Sequence, residues 1–164
     1  MSQTDLKLLR LMRTRGHTPG MEKLVRALGK AGNNGAVWVV VGALLALFDG
    51  GNREAWLICA VLGPVAIGLN FLVKLVFKRP RPVLEGLPPL GGAPSSLSFP
   101  SAHATSSFAV ATAMTRVEPV AAVAFLLAAA LALGRPYLGM HYPSDVLAGA
   151  VLGVALGLIV PLSL

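Results

Sequence analysis

The chain has 164 residues, of which 55% are hydrophobic and 13% charged, with a formal net charge of +7 and a mean hydropathy of +0.72. Soluble domains carry about 25% charged residues, so this balance excludes a soluble globular protein and points to the bilayer. The single cysteine, Cys59, excludes an internal disulfide and a cysteine-based metal site, and no basic, aromatic-interleaved soluble face is present to hold nucleic acid.

Along residues 3–14, Leu6, Leu9 and the Leu8/Met12 pair recur at helical spacing, with Lys7, Arg10 and Arg13 between them. That pattern predicts a short basic amphipathic helix lying on an anionic membrane surface. A second amphipathic segment runs from Met21 to Lys30, beyond the breakers Gly16, Pro19 and Gly20. Residues 1–15 hold no continuous apolar stretch and no small-residue cleavage site, so the first membrane helix is expected to act as the insertion signal. That helix is expected over Gly35 to Phe48. It is short against the usual ~20 residues and borrows length from the preceding segment. A turn at Asp49–Arg53 leads to a second helix, Glu54 to Phe77. Lys74 near its end is expected to snorkel, and Asn70 lies one turn before it.

Residues 78–100 read as a Pro/Gly/Ser-rich loop. The third helix is expected from Ser101, its N-cap, to Thr115. After a turn at Arg116-Val117-Glu118, the fourth runs from Pro119 to Leu133. A loop over Gly134 to Pro143 precedes the fifth, Ser144 to Val160, with Ser144 as cap. Gly149, Gly153 and Gly157 recur every four residues along it, as a small-residue packing face requires. The expected architecture is all-α: an integral membrane bundle of about five transmembrane helices behind N-terminal amphipathic interfacial helices. It is one domain over residues 1–164, with 1–34 the amphipathic region and 35–164 the bundle. Trp38, Tyr137 and Tyr142 fit interfacial belts, with Tyr142 also able to line a site, and His17 reads as exposed and uninvolved.

Lysine and arginine placement sets the orientation. Lys7, Arg10, Arg13, Arg15, Lys23, Arg26 and Lys30 precede the first membrane helix; Lys74, Lys78, Arg79, Arg81 and Arg135 fall at the same side of a five-helix bundle. Arg53 and Arg116 alone fall on the other. The N-terminus and the two polar loops are therefore expected to face the cytoplasm across the plasma membrane.

This topology gathers three distant segments at one membrane face: Lys74 with Arg81, Ser101-Ala102-His103 at a helix start, and Arg135, His141 and Asp145. A helix N-terminus is an anion site. Arginine contacts phosphate oxygens bidentately, and lysine adds a point charge. Two histidines can supply the in-line pair of a phosphoryl transfer, one attacking phosphorus as neutral imidazole and one protonating the leaving oxygen. The attacking ring needs its other nitrogen held by a carboxylate, and Asp145 follows His141 by four residues. Lys78 and Arg79 read as secondary contacts. No carboxylate cluster exists to hold Mg²⁺, so no metal and no cofactor are expected. A lipid-binding or transport protein would need the cations but not a nucleophile with its orienting acid.

The same residues carry a family resemblance. Lys74-x6-Arg81-Pro82, then Pro100-Ser101-Ala102-His103, then Gly134-Arg135-x5-His141-x3-Asp145 resemble the three motifs of the type 2 phosphatidic acid phosphatase (PAP2) superfamily, over about residues 70 to 150. Ala102 stands where that family has glycine, and Gly134 where it has serine. The resemblance implies a membrane phosphatase with His141 as nucleophile forming a phosphohistidine, Asp145 orienting it and His103 as general acid. It assigns Lys74, Arg81, Ser101 and Arg135 to phosphate binding, with the Ala102 and His103 amides, and implies no metal. A site at the membrane surface suits a lipid phosphate among membrane lipids. The candidates are a polyprenyl phosphate or diphosphate, phosphatidylglycerophosphate and phosphatidic acid. The compact layout is most similar to small actinobacterial members linked to decaprenylphosphoryl-5-phosphoribose dephosphorylation. Self-association is left open by the sequence.

Overall fold

The computed structural model describes residues 3–91 and 97–162, and the part of the Pro/Gly/Ser-rich loop at 92–96 lies outside them. Seven α-helices account for the described architecture, and no strand occurs among the described residues. They are α1 (Gln3–Thr14), α2 (Pro19–Ala31), α3 (Ala36–Phe48), α4 (Arg53–Phe77), α5 (Ala102–Val117), α6 (Ala124–Tyr137) and α7 (Pro143–Ile159). Short 3-10 turns at Asn33–Gly35 and Pro119–Val123 lead into α3 and α6.

The centre is α5, which packs against α4, α6 and α7. Its sequence is rich in Ala, Ser and Thr, and Ala104, Thr105, Ala109, Ala111 and Ala113 are fully buried. Small side chains let backbones approach, which is how helices associate where lipid supplies no hydrophobic drive. The α7 stripe is the closest case. A Cβ added at Gly149 would lie 2.6 Å from the Ser101 carbonyl oxygen, and one at Gly157 2.5 Å from that of Ala109. A Cβ at Gly153 would overlap the Thr105 carbonyl. Large apolar side chains such as Leu47, Val61, Leu72, Leu126 and Val151 point outward, the inverse of a soluble surface.

By length and apolar composition two helical stretches can cross a membrane, Arg53–Phe77 and Pro119–Tyr137, and the pair Pro19–Ala31 with Asn33–Phe48 makes a third, bent by 56°. Length and apolar composition alone thus support two or three of the about five expected spans. α5 is enclosed by its neighbours and carries buried Thr105, Ser106, Ser107 and Thr112 rather than an apolar lipid face; α7 is shorter, at 17 residues. The first membrane helix does adjoin the amphipathic segment, but across a bend. Asn34 (φ 56°) and Gly35 (φ 74°) are left-handed there, and a Cβ at Gly35 would sit 3.1 Å from the α4 backbone at Gly63 and Pro64.

Several expected boundaries shift. Arg116 and Val117 belong to α5 rather than a turn, and Arg116 donates 2.8 Å hydrogen bonds to the carbonyls of Gly157 and Val160, closing the end of α7. Gly134 to Tyr137 lie in α6 rather than in a loop, since Pro136 forfeits one donor without ending the helix. Trp38 is buried, its indole donating to Ser107 at 3.0 Å, so it is not a belt residue. His17 is not exposed either: it stacks on Tyr137 at 4.0 Å and bonds Glu22 (3.1 Å) and the Met12 carbonyl (3.0 Å). It lies away from the site, as the sequence suggests.

Candidate active site

The three motif segments meet. A cavity of about 210 Å³ is lined by Lys74, Arg81, Ala102, His103, Arg135 and His141, together with Asn70, Ile67 and Phe71 of α4 and Gly32, Asn33 and Asn34 at the α2–α3 bend. Two imidazoles that are 38 positions apart in the chain thus share one chamber with three cations.

Each group is held by local structure. Lys74 does not snorkel. It is buried one turn before the end of α4, and its Nζ donates to the carbonyl oxygens of Leu97 (2.6 Å) and Ser98 (3.4 Å). The ammonium thereby ties α4 to the segment that enters α5, with its third N–H left for a ligand. Pro80 and Pro82 alternate with Arg79 and Arg81 and keep this stretch out of helix. Arg81 donates to the Met140 carbonyl at 2.7 Å and lies 3.2 Å from His141 Nε2. Ser101 occupies the N-cap position of α5, but its side chain makes no capping bond. Its buried Oγ has no hydrogen-bond partner among the described residues, and neither has Arg135 Nε. Buried polar atoms without partners carry a desolvation penalty that a ligand relieves. His103, half-buried, places Nε2 3.0 Å from the Gly29 carbonyl of α2.

His141 lies between α6 and α7 and is almost fully buried. Its Nδ1 is 3.4 Å from Asp145 Oδ2 and 3.5 Å from Ser98 Oγ, which leaves Nε2 facing Arg81 and the cavity. Burial, reinforced by the cations Arg81, Arg135 and Lys74, holds the ring well below the ordinary histidine range, against the opposing pull of Asp145. That direction favours the neutral imidazole, the form in which a histidine can attack. Asp145, at the third position of α7, reaches back to accept from the Tyr142 amide at 2.8 Å, in the manner of a capping box. Ser144 is thus not the cap; Tyr142 holds that position. Asp145 Oδ2 also accepts a hydrogen bond from Ser98 Oγ, and the Asp145 side chain is fully buried.

Three contributors lie outside the motif positions, and of them only Arg79 reads from the sequence, as a secondary contact. Arg79, two residues before Arg81, donates from Nη1 to Asp145 Oδ1 and Ser144 Oγ, both at 2.7 Å, and lies 4.0 Å above the Tyr142 ring. Tyr142 is accordingly a buried platform rather than a belt residue. Ser98 is the second, buried against Asp145; its position three residues before Ser101 is the one available sequence signal. Gly29, whose carbonyl receives His103, is the third, and nothing in its sequence surroundings announces it. The family serine replaced by Gly134 also has a local reason: a Cβ there would sit 3.0 Å from Val25 of α2. Among the described residues no cluster of three or more His, Cys, Asp or Glu is placed to hold a metal.

The PAP2 superfamily family model matches residues 54–164. A relative from Mycobacterium tuberculosis named decaprenylphosphoryl-5-phosphoribose phosphatase is 37% identical over 142 residues, covering 87% of this chain and 80% of that one. A relative of the same name from Mycolicibacterium smegmatis is 40% identical over 131 residues, covering 80% and 72%. Among solved structures, that of Aquifex aeolicus LpxE superposes with a TM-score of 0.78 at 25% identity, over 96% of this chain and 94% of the other. With the three motifs converging on one cavity and more than half of the chain matched, this protein belongs to the PAP2 superfamily.

Proposed function

We propose that this chain is a membrane-embedded lipid-phosphate phosphatase that hydrolyses the terminal phosphomonoester of a polyprenyl-phosphoryl-phosphoribose or a similar lipid, through a phosphohistidine on His141. The observation that carries this reading is the shared cavity: both imidazoles and all three motif cations line it. The names of the two mycobacterial relatives supply the substrate class.

In the first step His141 Nε2 attacks phosphorus and the P–O bond to the lipid alcohol breaks. The bound phosphate dianion offsets the cations that face His103 and favours its protonated form, which gives its proton to the departing oxygen. Its Nε2 is committed to the Gly29 carbonyl, which leaves Nδ1 to carry that proton. Asp145, facing His141 Nδ1–H, stabilises the positive charge that develops on the ring. Lys74, Arg81 and Arg135, with Ser101 Oγ and the first amides of α5, neutralise the equatorial oxygens. In the second step His103 removes a proton from water, the water oxygen attacks phosphorus, the P–N bond breaks, and inorganic phosphate leaves.

A phosphate-release panel over purified lipid phosphates tests the substrate class. Phosphoribosyl-polyprenyl phosphate is expected to be turned over at least ~10-fold more efficiently than phosphatidic acid, phosphatidylglycerophosphate or undecaprenyl diphosphate, a difference of about 1.4 kcal/mol in transition-state binding. The rates are expected to be unchanged in EDTA. Preference for a diphosphate would move the assignment to that substrate, and a strict Mg²⁺ requirement would overturn the metal-free mechanism.

We also place the cavity on the cytoplasmic side of the plasma membrane, on the support of the lysine and arginine distribution. Glu85→Cys in a Cys59→Ser background is expected to react with an impermeant maleimide in inverted vesicles and not in intact cells. Labelling in intact cells would reverse the orientation.

A further inference from the structure

The N-terminal helix reaches the reaction centre. Asp5, in the first turn of α1, lies outside the residues matched by the family model. Its carboxylate is buried, with 7% of the residue exposed. Oδ1 accepts from the Ser144 amide at 3.0 Å, and Oδ2 accepts from Arg79 Nη2 at 2.8 Å and from Ser144 Oγ. The other arm of the same guanidinium holds Asp145 Oδ1 at 2.7 Å. A continuous path therefore runs Asp5–Arg79–Asp145–His141. Burial alone would raise the Asp5 carboxyl, but the Arg79 and Ser144 hydrogen bonds outweigh it and hold it below the usual carboxylate range.

We propose that Asp5 is a positioning residue for catalysis: acting through Arg79, it fixes the Asp145 carboxylate beneath His141, so that α1 forms part of the catalytic machinery. This rests on the phosphohistidine reading above. Arg79 stands on a non-helical segment, and two carboxylates on opposite arms define its plane more tightly than one. Without Asp5 the guanidinium is free to turn about its remaining partners, and Asp145 Oδ1 turns with it. The His141–Asp145 contact, at 3.4 Å, has little slack, and misplacement by about 1 Å costs as much as 100-fold in rate. Anchoring of α1 does not itself require Asp5. Leu9 is fully buried, and Arg13 donates to the Pro88 carbonyl at 2.8 Å.

The test uses the full-length protein in lipid nanodiscs with a lipid phosphomonoester. Asp5→Ala is expected to lower kcat about 10- to 100-fold with KM within about twofold, and Asp5→Asn, which keeps the shape but removes the charge, to fall between it and wild type. Asp5→Ala combined with Arg79→Ala is expected to be no slower than Arg79→Ala alone, because the positioning runs through Arg79 and the Asp5–Ser144 bonds only seat α1. Arg13→Ala loosens the same helix elsewhere and is expected to keep wild-type kcat. Wild-type kcat in Asp5→Ala or in Asp5→Asn, additive losses in the double variant, or equal kcat losses in Arg13→Ala and Asp5→Ala would each overturn the proposal. If Asp5→Ala does not fold, Asp5→Asn carries the comparison. His141→Ala in the same assay separates the two levels: a dead His141→Ala beside a fully active Asp5→Ala sinks only the positioning role. An active His141→Ala sinks the phosphohistidine reading itself.

Discussion

Replacing His141 with alanine is expected to abolish phosphate release, with a loss of at least ~10³-fold in kcat, while the chain still folds and inserts. The geometry explains both halves. Nε2 of His141 is the cavity imidazole nitrogen that faces Arg81, whereas Nε2 of His103 is engaged by the Gly29 carbonyl. No water-activating carboxylate replaces it, because Asp145 is fully buried and already accepts from Ser98, Tyr142 and Arg79. Those three donors remain in the variant, so Asp145 does not become an unpaired buried charge, and the stability loss stays within about 1–3 kcal/mol. Rapid quench with a substrate labelled in the terminal phosphate should capture an acid-labile, alkali-stable phosphoryl adduct on the wild-type protein and none on His141→Ala. Unimpaired turnover in the variant would remove the covalent step.

The second large effect is on stability. Gly153→Val is expected to destabilise the bundle by about 3 kcal/mol or more, seen as a fall in melting temperature in detergent with loss of activity. A Cβ at this position meets backbone rather than flexible side chain. It would overlap the Thr105 carbonyl and approach the Ala109 amide nitrogen to 2.9 Å. α5 and α7 can accommodate it only by moving apart, and they carry His103 and Asp145 respectively. Gly68→Ala is the matched control. Nothing lies within 4 Å of a Cβ there, so the variant is expected to match or exceed the wild-type melting temperature through helix propensity alone. Equal melting curves for Gly153→Val and wild type would mean that the stripe is not a packed seam.

The candidate site is largely legible in the sequence because the residues that line it sit near helix ends. Lys74 lies at the end of α4, Ser101 to His103 at the start of α5, and Arg135, His141 and Asp145 around the α6–α7 turn. Fixed spacings within each segment therefore survive as motifs. What is not legible is long-range. Spacing separates Arg81 from Arg79 but cannot show that Arg79 turns towards Asp145, since two residues within a Pro-Arg-Pro stretch differ by direction and not by type. Asp5 is 139 positions from Ser144, and an acidic residue in the first turn of an amphipathic helix reads as an ordinary favourable dipole partner. Helix limits fail where punctuation misleads. Gly134 and Pro136 suggest a loop, yet α6 continues through them because its last turn can forgo one donor. Trp38 and Tyr142 read as interfacial because their rings are amphipathic, while in the fold both are buried, the Trp38 indole donating to Ser107 and the Tyr142 ring lying beneath the Arg79 guanidinium.

The contact of α7 glycines with α5 carbonyls has a mechanical consequence. Main-chain atoms, not adjustable side chains, set the spacing between the helix that bears His103 and the helix that bears Asp145. Such a seam resists sliding, so a change in bilayer thickness or lateral pressure is expected to tilt the two helices together rather than move one past the other. The distance between these two side chains is thus gauged by peptide backbone and not by the lipid around it.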